Sequence, residues 1–203
     1  NHKMIKKLPL NYNFFTKKII QKLISANKFL AELNGLSSKI PNQMILINSL
    51  SLRESKSSSE IENIVTTYDE LYKSKVCNLK ISKETKEVEN YNKALLYWFS
   101  KVKNNWIISN REILEIQSIL EWNNAWFRTQ SWTSLKNEKT WEIIYTPPQN
   151  IDEINILMKN LEEYLNIKDI DDLDPLIKMA IIHHQFESIH PFYDWNWRTW
   201  RII

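Results

Sequence analysis

Glycine is almost missing from this chain. Of 203 residues only Gly35 is glycine, where average usage of about 7% would supply roughly 14. Glycine furnishes the positive-φ positions of turns and helix C-caps. Its scarcity therefore excludes a fold rich in tight glycine turns, or else requires another residue to stand in those places. Cysteine is equally scarce: the lone Cys77 excludes an internal disulfide, fits a reducing compartment, and reads as an inert, half-buried thiol. There is no run of 18 apolar residues and no signal-peptide pattern, so the expectation is a cytoplasmic chain with no membrane partner. The net charge of +3 is small and carried by lysines scattered along the chain, which argues against nucleic acid as a partner. The chain opens on Asn1-His2-Lys3-Met4 and stops within an apparent helix, which predicts a fragment of a longer protein.

Tryptophan is what the chain has in excess. Nine are present, at positions 98, 106, 122, 126, 132, 141, 195, 197 and 200. Three of them crowd into six residues of the polar terminal stretch His190-Pro-Phe-Tyr-Asp-Trp-Asn-Trp-Arg-Thr-Trp-Arg201. With 43% hydrophobic residues, the chain can build a sizeable core as one domain with an N-terminal helical extension.

The expected fold class is mainly α. From Phe14 to Leu33, apolar residues recur at spacings of three and four and stop at Asn34-Gly35, a helix ending. Glu87 to Lys103, Arg111 to Leu120, Ile154 to Leu165 and Asp174 to Ile189 show the same period. Trp132 to Pro148 differs. Its β-branched and aromatic residues flank a polar tip and end in Pro147-Pro148, as in a β-hairpin. The segment Ser57-Ser-Ser-Glu-Ile-Glu-Asn63, with candidate serine N-caps before glutamates, reads as a short capped helix.

Writing glycine for tryptophan turns the terminal stretch into HPFYDGNGRTGR and makes Lys139-Thr140-Gly a credible hairpin turn. The first of these resembles the Fic family motif HPFx(D/E)GNGRxxR, matched here at every defined residue except the two glycine positions, Trp195 and Trp197. The resemblance runs through nearly the whole chain: AELNGLSSKIPN and SSSEIENIVTTYDELY are similar to the family's N-terminal lobe, and the hairpin is similar to its target-docking flap. It implies a Fic-type helical bundle with a small β-hairpin flap. The N-terminal helical lobe would occupy residues 1–80, with an inhibitory helix at about 57–64, and the catalytic core residues 81–203, cut off after the motif. On this resemblance all nine tryptophans fall where glycine is expected or readily accepted. Some bacterial lineages read UGA as glycine, and a table that reads UGA as tryptophan would write this sequence from their genes. The excess of lysine over arginine, with abundant Asn and Ile, fits AT-rich DNA.

The chemistry of the motif is readable from its residue types. Phosphoryl and nucleotidyl transfer rest on positioning and charge neutralisation around an in-line nucleophile. His190 suits the removal of a proton from an attacking hydroxyl, and Asp194, the one carboxylate of the loop, suits Mg²⁺ held against phosphates. Backbone N–H groups at positions 195 and 197 would close on phosphate oxygens best if they belonged to glycine. Arg198 and Arg201, three apart, are expected on one helix face and can fork onto phosphates; with Arg128, three of the five arginines fall in the site or its support. Trp200, a turn inside the helix, is expected at a close helix contact.

The resemblance assigns finer roles. His190 would activate a Ser, Thr or Tyr hydroxyl of a target protein, or of the chain itself. Asp194 would hold Mg²⁺, while Trp195, Asn196, Trp197, Arg198, Trp200 and Arg201 would form the ATP site, and AMP would be transferred. Thr140, Glu142, Ile143, Ile144 and Tyr145 would form the docking flap. Ser58, Glu62 and Asn63 match the inhibitory motif (S/T)xxxE(G/N), in which Glu62 would occupy Arg201 in place of the γ-phosphate, or orient water to remove AMP. Two other readings stay open: transfer of another phosphate-containing group, such as phosphate, UMP or phosphocholine, and, if the tryptophans are genuine, an inactive scaffold or aromatic binding module. His183 and His184 read as packing residues that match no zinc spacing. Phe186 and Phe192 read as core residues, and Glu187 as a hydrogen-bonding support.

Overall fold

The computed structural model describes residues 5–76, 82–104, 107–124, 126–137, 139–167, 172–194 and 196–203. Cys77, Trp106 and Trp195 lie outside the described residues. The chain divides into two compact units, one of Asn11–Asn92 and one of Asn1–Leu10 with Lys93–Ile203.

In the first unit, helix α1 (Lys17–Ser37) starts at Thr16, whose hydroxyl accepts from the Ile19 amide, and none of its residues is buried. It runs straight through Asn34-Gly35, the expected stop. A helix-interior glycine costs only about 1 kcal/mol, and the chain ends the helix with the Ser37 and Ser38 hydroxyls bonding back to the carbonyls of Asn34 and Gly35. Helix α2 (Gln43–Glu60) is capped by the Asn42 side chain. The serine run therefore closes a long helix instead of opening a short one at Ser57. Ser51, Leu52, Ser55, Ser58 and Ser59 form its buried face, and Ser55 donates back to the Ser51 carbonyl at 2.6 Å, the local bond by which serine satisfies itself inside a helix. The turn that follows ends at Asn63 in the left-handed region, φ 61°. Helix α3 (Tyr68–Val76) opens on a reciprocal box in which Glu70 accepts from the Thr67 amide and the Thr67 hydroxyl accepts from the Glu70 amide. Leu52, Leu71 and Val88, with Ile64 packed against them, form a buried cluster in this unit; Val88 lies on helix α4 (Lys83–Asn104).

In the second unit, helix α5 (Asn110–Glu121) begins in a Ser109/Glu112 capping box and ends on Trp122 in the left-handed region. Strands β1 (Leu135–Lys136) and β2 (Ile143–Tyr145) pair antiparallel, Leu135 opposite Tyr145. The Asn137 side chain folds the tip by accepting from the amides of Lys139 and Thr140. Helices α6 (Ile151–Asn166), α7 (Pro175–Ile189) and α8 (Asn196–Ile202) complete the unit, with α6 packed on α7, and α8 on α5 and α7. Each packed helix buries the stripe its period dictates, for example Ile113, Ile116 and Leu120 on α5, and Ile154, Leu157, Met158 and Leu161 on α6. Asp174 caps α7 ahead of Pro175 at its first position. Eight helices and one two-stranded sheet among the described residues make the fold mainly α with a small hairpin. No helix of the described chain is long and apolar enough to cross a membrane.

Candidate functional site

Helix α7 ends on His190, which takes the left-handed conformation at φ 49°, ψ 60° and returns its N–H to the Phe186 carbonyl at 2.9 Å. The left-handed residue turns the chain sharply out of the helix into Pro191-Phe192-Tyr193-Asp194 and then α8. Asn196 closes the loop. Buried, it accepts from the Phe192 amide at 2.8 Å through Oδ1 and donates to the Phe192 carbonyl at 2.9 Å through Nδ2. The residue expected at phosphates thus spends both ends of its amide on the shape of the loop. Phe192 itself is buried against Phe127 and Phe186, a core residue as expected.

The His190 imidazole is half-buried, and its Nδ1 has no hydrogen-bond partner among the described residues. Burial, followed by the nearby Arg128 charge, pushes its pKa down from 6.5 to about 4, while Asp194 acts in the opposite direction. A neutral imidazole at pH 7 is the state in which a histidine takes up a proton. Asp194 is exposed, and its backbone carbonyl accepts from Gln117 Nε2 at 3.1 Å. Among the described residues no three His, Cys, Asp or Glu side chains converge, and the Asp194 carboxylate is the one acidic side chain of the loop.

Arg198 and Arg201 do not share an exposed face, because packing of α8 on α5 and α7 buries Arg198 and leaves Arg201 exposed. What they share is the Trp197 ring, whose centroid lies 5.6 Å from the Arg198 guanidinium carbon and 5.2 Å from that of Arg201. Trp200 sits at a helix contact as expected, buried at 5.3 Å from the Phe186 ring and edge-on at 5.2 Å to His183. His183 is exposed on α7 and meets Trp200 only at its ring edge; the partial desolvation of that contact, ahead of the Arg201 and His184 charges, lowers its pKa. Glu187 has no partner for its buried Oε1 among the described residues, and burial raises its pKa; the expected hydrogen-bonding support is not seen.

Of the flap residues, Thr140, Glu142, Ile143 and Ile144 are exposed. Tyr145 turns inward and donates to the Ser188 carbonyl at 2.8 Å. Ser58, Glu62 and Asn63 belong to the other unit, where Ser58 is buried near the end of α2 and Glu62 and Asn63 form the turn after it. The residues that sequence reasoning missed are Gln117, Thr199 and Tyr193. Gln117, buried on α5, donates to Glu121 and to the Asp194 carbonyl, and accepts from the Thr199 hydroxyl. Tyr193 bonds through its hydroxyl to the Thr129 amide at 2.9 Å and hydroxyl at 3.0 Å. A polar residue at a buried position of the α5 stripe was the available signal for Gln117; Tyr193 had none.

The sequence and fold match known proteins. Residues 107–203 match the model of the Fic/DOC family, and residues 20–99 match that of the Fic/DOC family N-terminal region. A protein adenylyltransferase Fic of Drosophila erecta is 36% identical over 56 residues, 28% of this chain and 11% of that protein. Among solved structures, a Fic domain containing signaling protein from Bacteroides thetaiotaomicron superposes with a TM-score of 0.70 at 19% identity, covering 87% of this chain and 69% of that one. A Fic family protein from Desulfovibrio desulfuricans gives 0.69 at 20% identity, over 94% and 57%. Fic-1 (residues 134–508) of C. elegans gives 0.63 at 20% identity, over 89% and 56%.

The depressed pKa of His190 has a measurable consequence. The unfolded chain takes up a proton at the ordinary value of 6.5, and the folded chain declines it down to about 4. The stability tied to neutral His190 is therefore complete above pH 6.5 and is lost as the pH falls toward 4. His190→Ala should flatten the fall of the thermal unfolding midpoint across that window; an equally steep fall in the variant would place the pH dependence on other groups.

Proposed function

The chain belongs to the Fic/DOC family, and on that premise we propose that it is a protein adenylyltransferase, moving AMP from ATP to a Ser, Thr or Tyr hydroxyl of a target protein or of itself. The observation that carries this reading is the motif loop, in which a neutral His190 stands at the end of α7, four residues ahead of Asp194. In the reaction, the hydroxyl O–H breaks with its proton passing to the imidazole, the oxygen bonds to the α-phosphorus, and the P–O bond to pyrophosphate breaks. Mg²⁺, held by Asp194, would neutralise phosphate charge. Arg201, exposed on α8, offers a guanidinium to the phosphates. His190→Ala is expected to abolish labelling from α-³²P-ATP while leaving the calorimetric affinity for Mg²⁺-ATP within about twofold, since a base that meets the incoming hydroxyl contributes to the chemical step and not to nucleotide binding. Retained labelling would remove His190 from the role.

The motif Ser58-x-x-x-Glu62-Asn63 supports an inhibitory role for the N-terminal unit, with Glu62 restraining transfer. Glu62→Gly should then raise autoadenylylation at least severalfold at unchanged protein stability. An unchanged rate would leave these residues as a helix ending and nothing more.

A second reading concerns what stands at the tryptophans, and backbone geometry favours it. Among the described residues five non-glycine residues have positive φ, and three are tryptophans: Trp122 at 57°, Trp132 at 83° and Trp141 at 59°. A non-glycine residue pays roughly 1–2 kcal/mol for this conformation. The indoles give little back, with Trp132 92% and Trp141 75% exposed. No positive-φ glycine is present, and the one glycine lies inside α1. We infer that UGA is decoded as glycine in the cells that own this gene and that all nine positions carry glycine there. At Trp98 and Trp200, which are buried in helices, the inference rests on the shared codon. Mass spectrometry of protein from those cells should find glycine at all nine sites; a single tryptophan-containing peptide refutes the reading. Independently, replacing Trp122, Trp132 and Trp141 together by glycine should raise the unfolding free energy by about 1–3 kcal/mol in urea titration.

A further inference from the structure

Four consecutive backbone carbonyls at the catalytic loop are held by residues of the segment that carries the flap. Tyr145 Oη donates to the Ser188 carbonyl at 2.8 Å. Arg128 Nη2 donates to Ile189 at 3.5 Å, Arg128 Nε to His190 at 2.7 Å, and the Arg128 backbone amide to Pro191 at 2.8 Å. The same guanidinium reaches the other way, to the carbonyls of Gln130 and Pro148 on the two sides of the hairpin base. Arg128 has no exposed surface, so no solvent competes for these bonds.

The chemistry explains why arginine stands here. A helix leaves its last carbonyls without intrahelical donors, and a cation beside them is favoured by the helix dipole. Only the planar guanidinium offers five donors in fixed directions. A lysine ammonium, a point charge on a flexible stem, cannot span the hairpin base and the loop at once. Tyr145 extends the row by one carbonyl, from strand β2 itself.

We propose that Arg128 and Tyr145 are positioning residues that lock the loop bearing His190 to the docking flap, so that a target strand laid on the flap is brought to the base at one fixed geometry. The proposal rests on the adenylyltransferase reading for the identity of the base and the acceptor. Strands of a flap recognise partners through backbone pairing in extended conformation, which fixes a target's register relative to the flap. The two side chains convert that register into a distance between the target hydroxyl and the imidazole. An error of about 1 Å there costs on the order of 100-fold in rate, so the link has to be stiff.

The test uses Tyr145→Phe, which removes one hydroxyl and keeps the ring, together with Arg128→Lys and the double variant. Two measurements are made: transfer from labelled ATP to the chain itself, and the ¹⁵N resonances of the His190 imidazole, assigned by comparison with His190→Ala. Each single variant should lower kcat roughly tenfold or more with KM for ATP changed by less than about twofold, and should shift or broaden the His190 resonances. The double variant should lose less than the product of the two, because both side chains hold one row of carbonyls. Unmoved resonances in Tyr145→Phe, or a kcat that falls only in proportion to the folded fraction, would overturn the proposal. Should Arg128→Lys not fold, Tyr145→Phe decides by itself. If the unaltered protein labels nothing while the variants still shift the His190 resonances, the transferase reading fails and the positioning role stands.

Discussion

A guanidinium sealed inside protein must replace all of the hydration it gives up, and Arg128 does so with backbone carbonyls. Its Nε and both Nη atoms donate to Gln130, Pro148, Ile189 and His190. Burying a cation is costly unless every direction is answered by a dipole, so this one side chain dictates where three stretches of backbone lie. The end of α7, the His190 turn and the two sides of the hairpin base are therefore a single electrostatic arrangement. Burial and that charge also keep His190 neutral, so the group that shapes the loop helps to set its proton chemistry.

Around this centre the polar side chains are spent on fixing backbone. Asn196 closes on Phe192, Gln117 ties the Asp194 carbonyl to Thr199, and Tyr193 reaches back to Thr129. The loop is held from inside by Asn196, from α5 by Gln117 and from the flap-bearing segment by Arg128. Such over-determination is what lets a histidine persist at φ 49°, a conformation uncommon for residues with a Cβ. Preorganisation of this kind is the contribution a protein makes to group transfer when the reactant brings its own charged leaving group.

Much of this was legible in the sequence. The periods of α5, α6 and α7 and the Asp174-Pro175 start announced themselves because burial and capping act on neighbours in the chain. The hairpin was visible in its flanking residues, and the motif in its unbroken order of His, Asp, Asn and Arg. The end of α1 was misread because one glycine is a weak stop when serine hydroxyls satisfy the later carbonyls. The serine run was misplaced because the residues that cap a helix from outside can also bond back within it. The burial of Arg198 and the inward turn of Asn196 depend on which side of α8 meets α5 and α7, a tertiary matter on which seven helical residues carry little periodic signal. The links from Arg128 and Tyr145 to residues 188–191 cross more than 40 positions of sequence, and no local pattern encodes them.

Helix α1 stands apart from all this. It spans 21 residues without burying any of them, and Phe29, Leu33 and Leu36 are exposed along it. With only Ile19, Leu23 and Ser37 partly buried on it, the helix draws less on packing than α5, α6 and α7 do, and more on its backbone hydrogen bonds and its ends. Its helicity should therefore decline gradually over a range in which the packed helices α5, α6 and α7 still hold, and its amides should exchange faster than theirs.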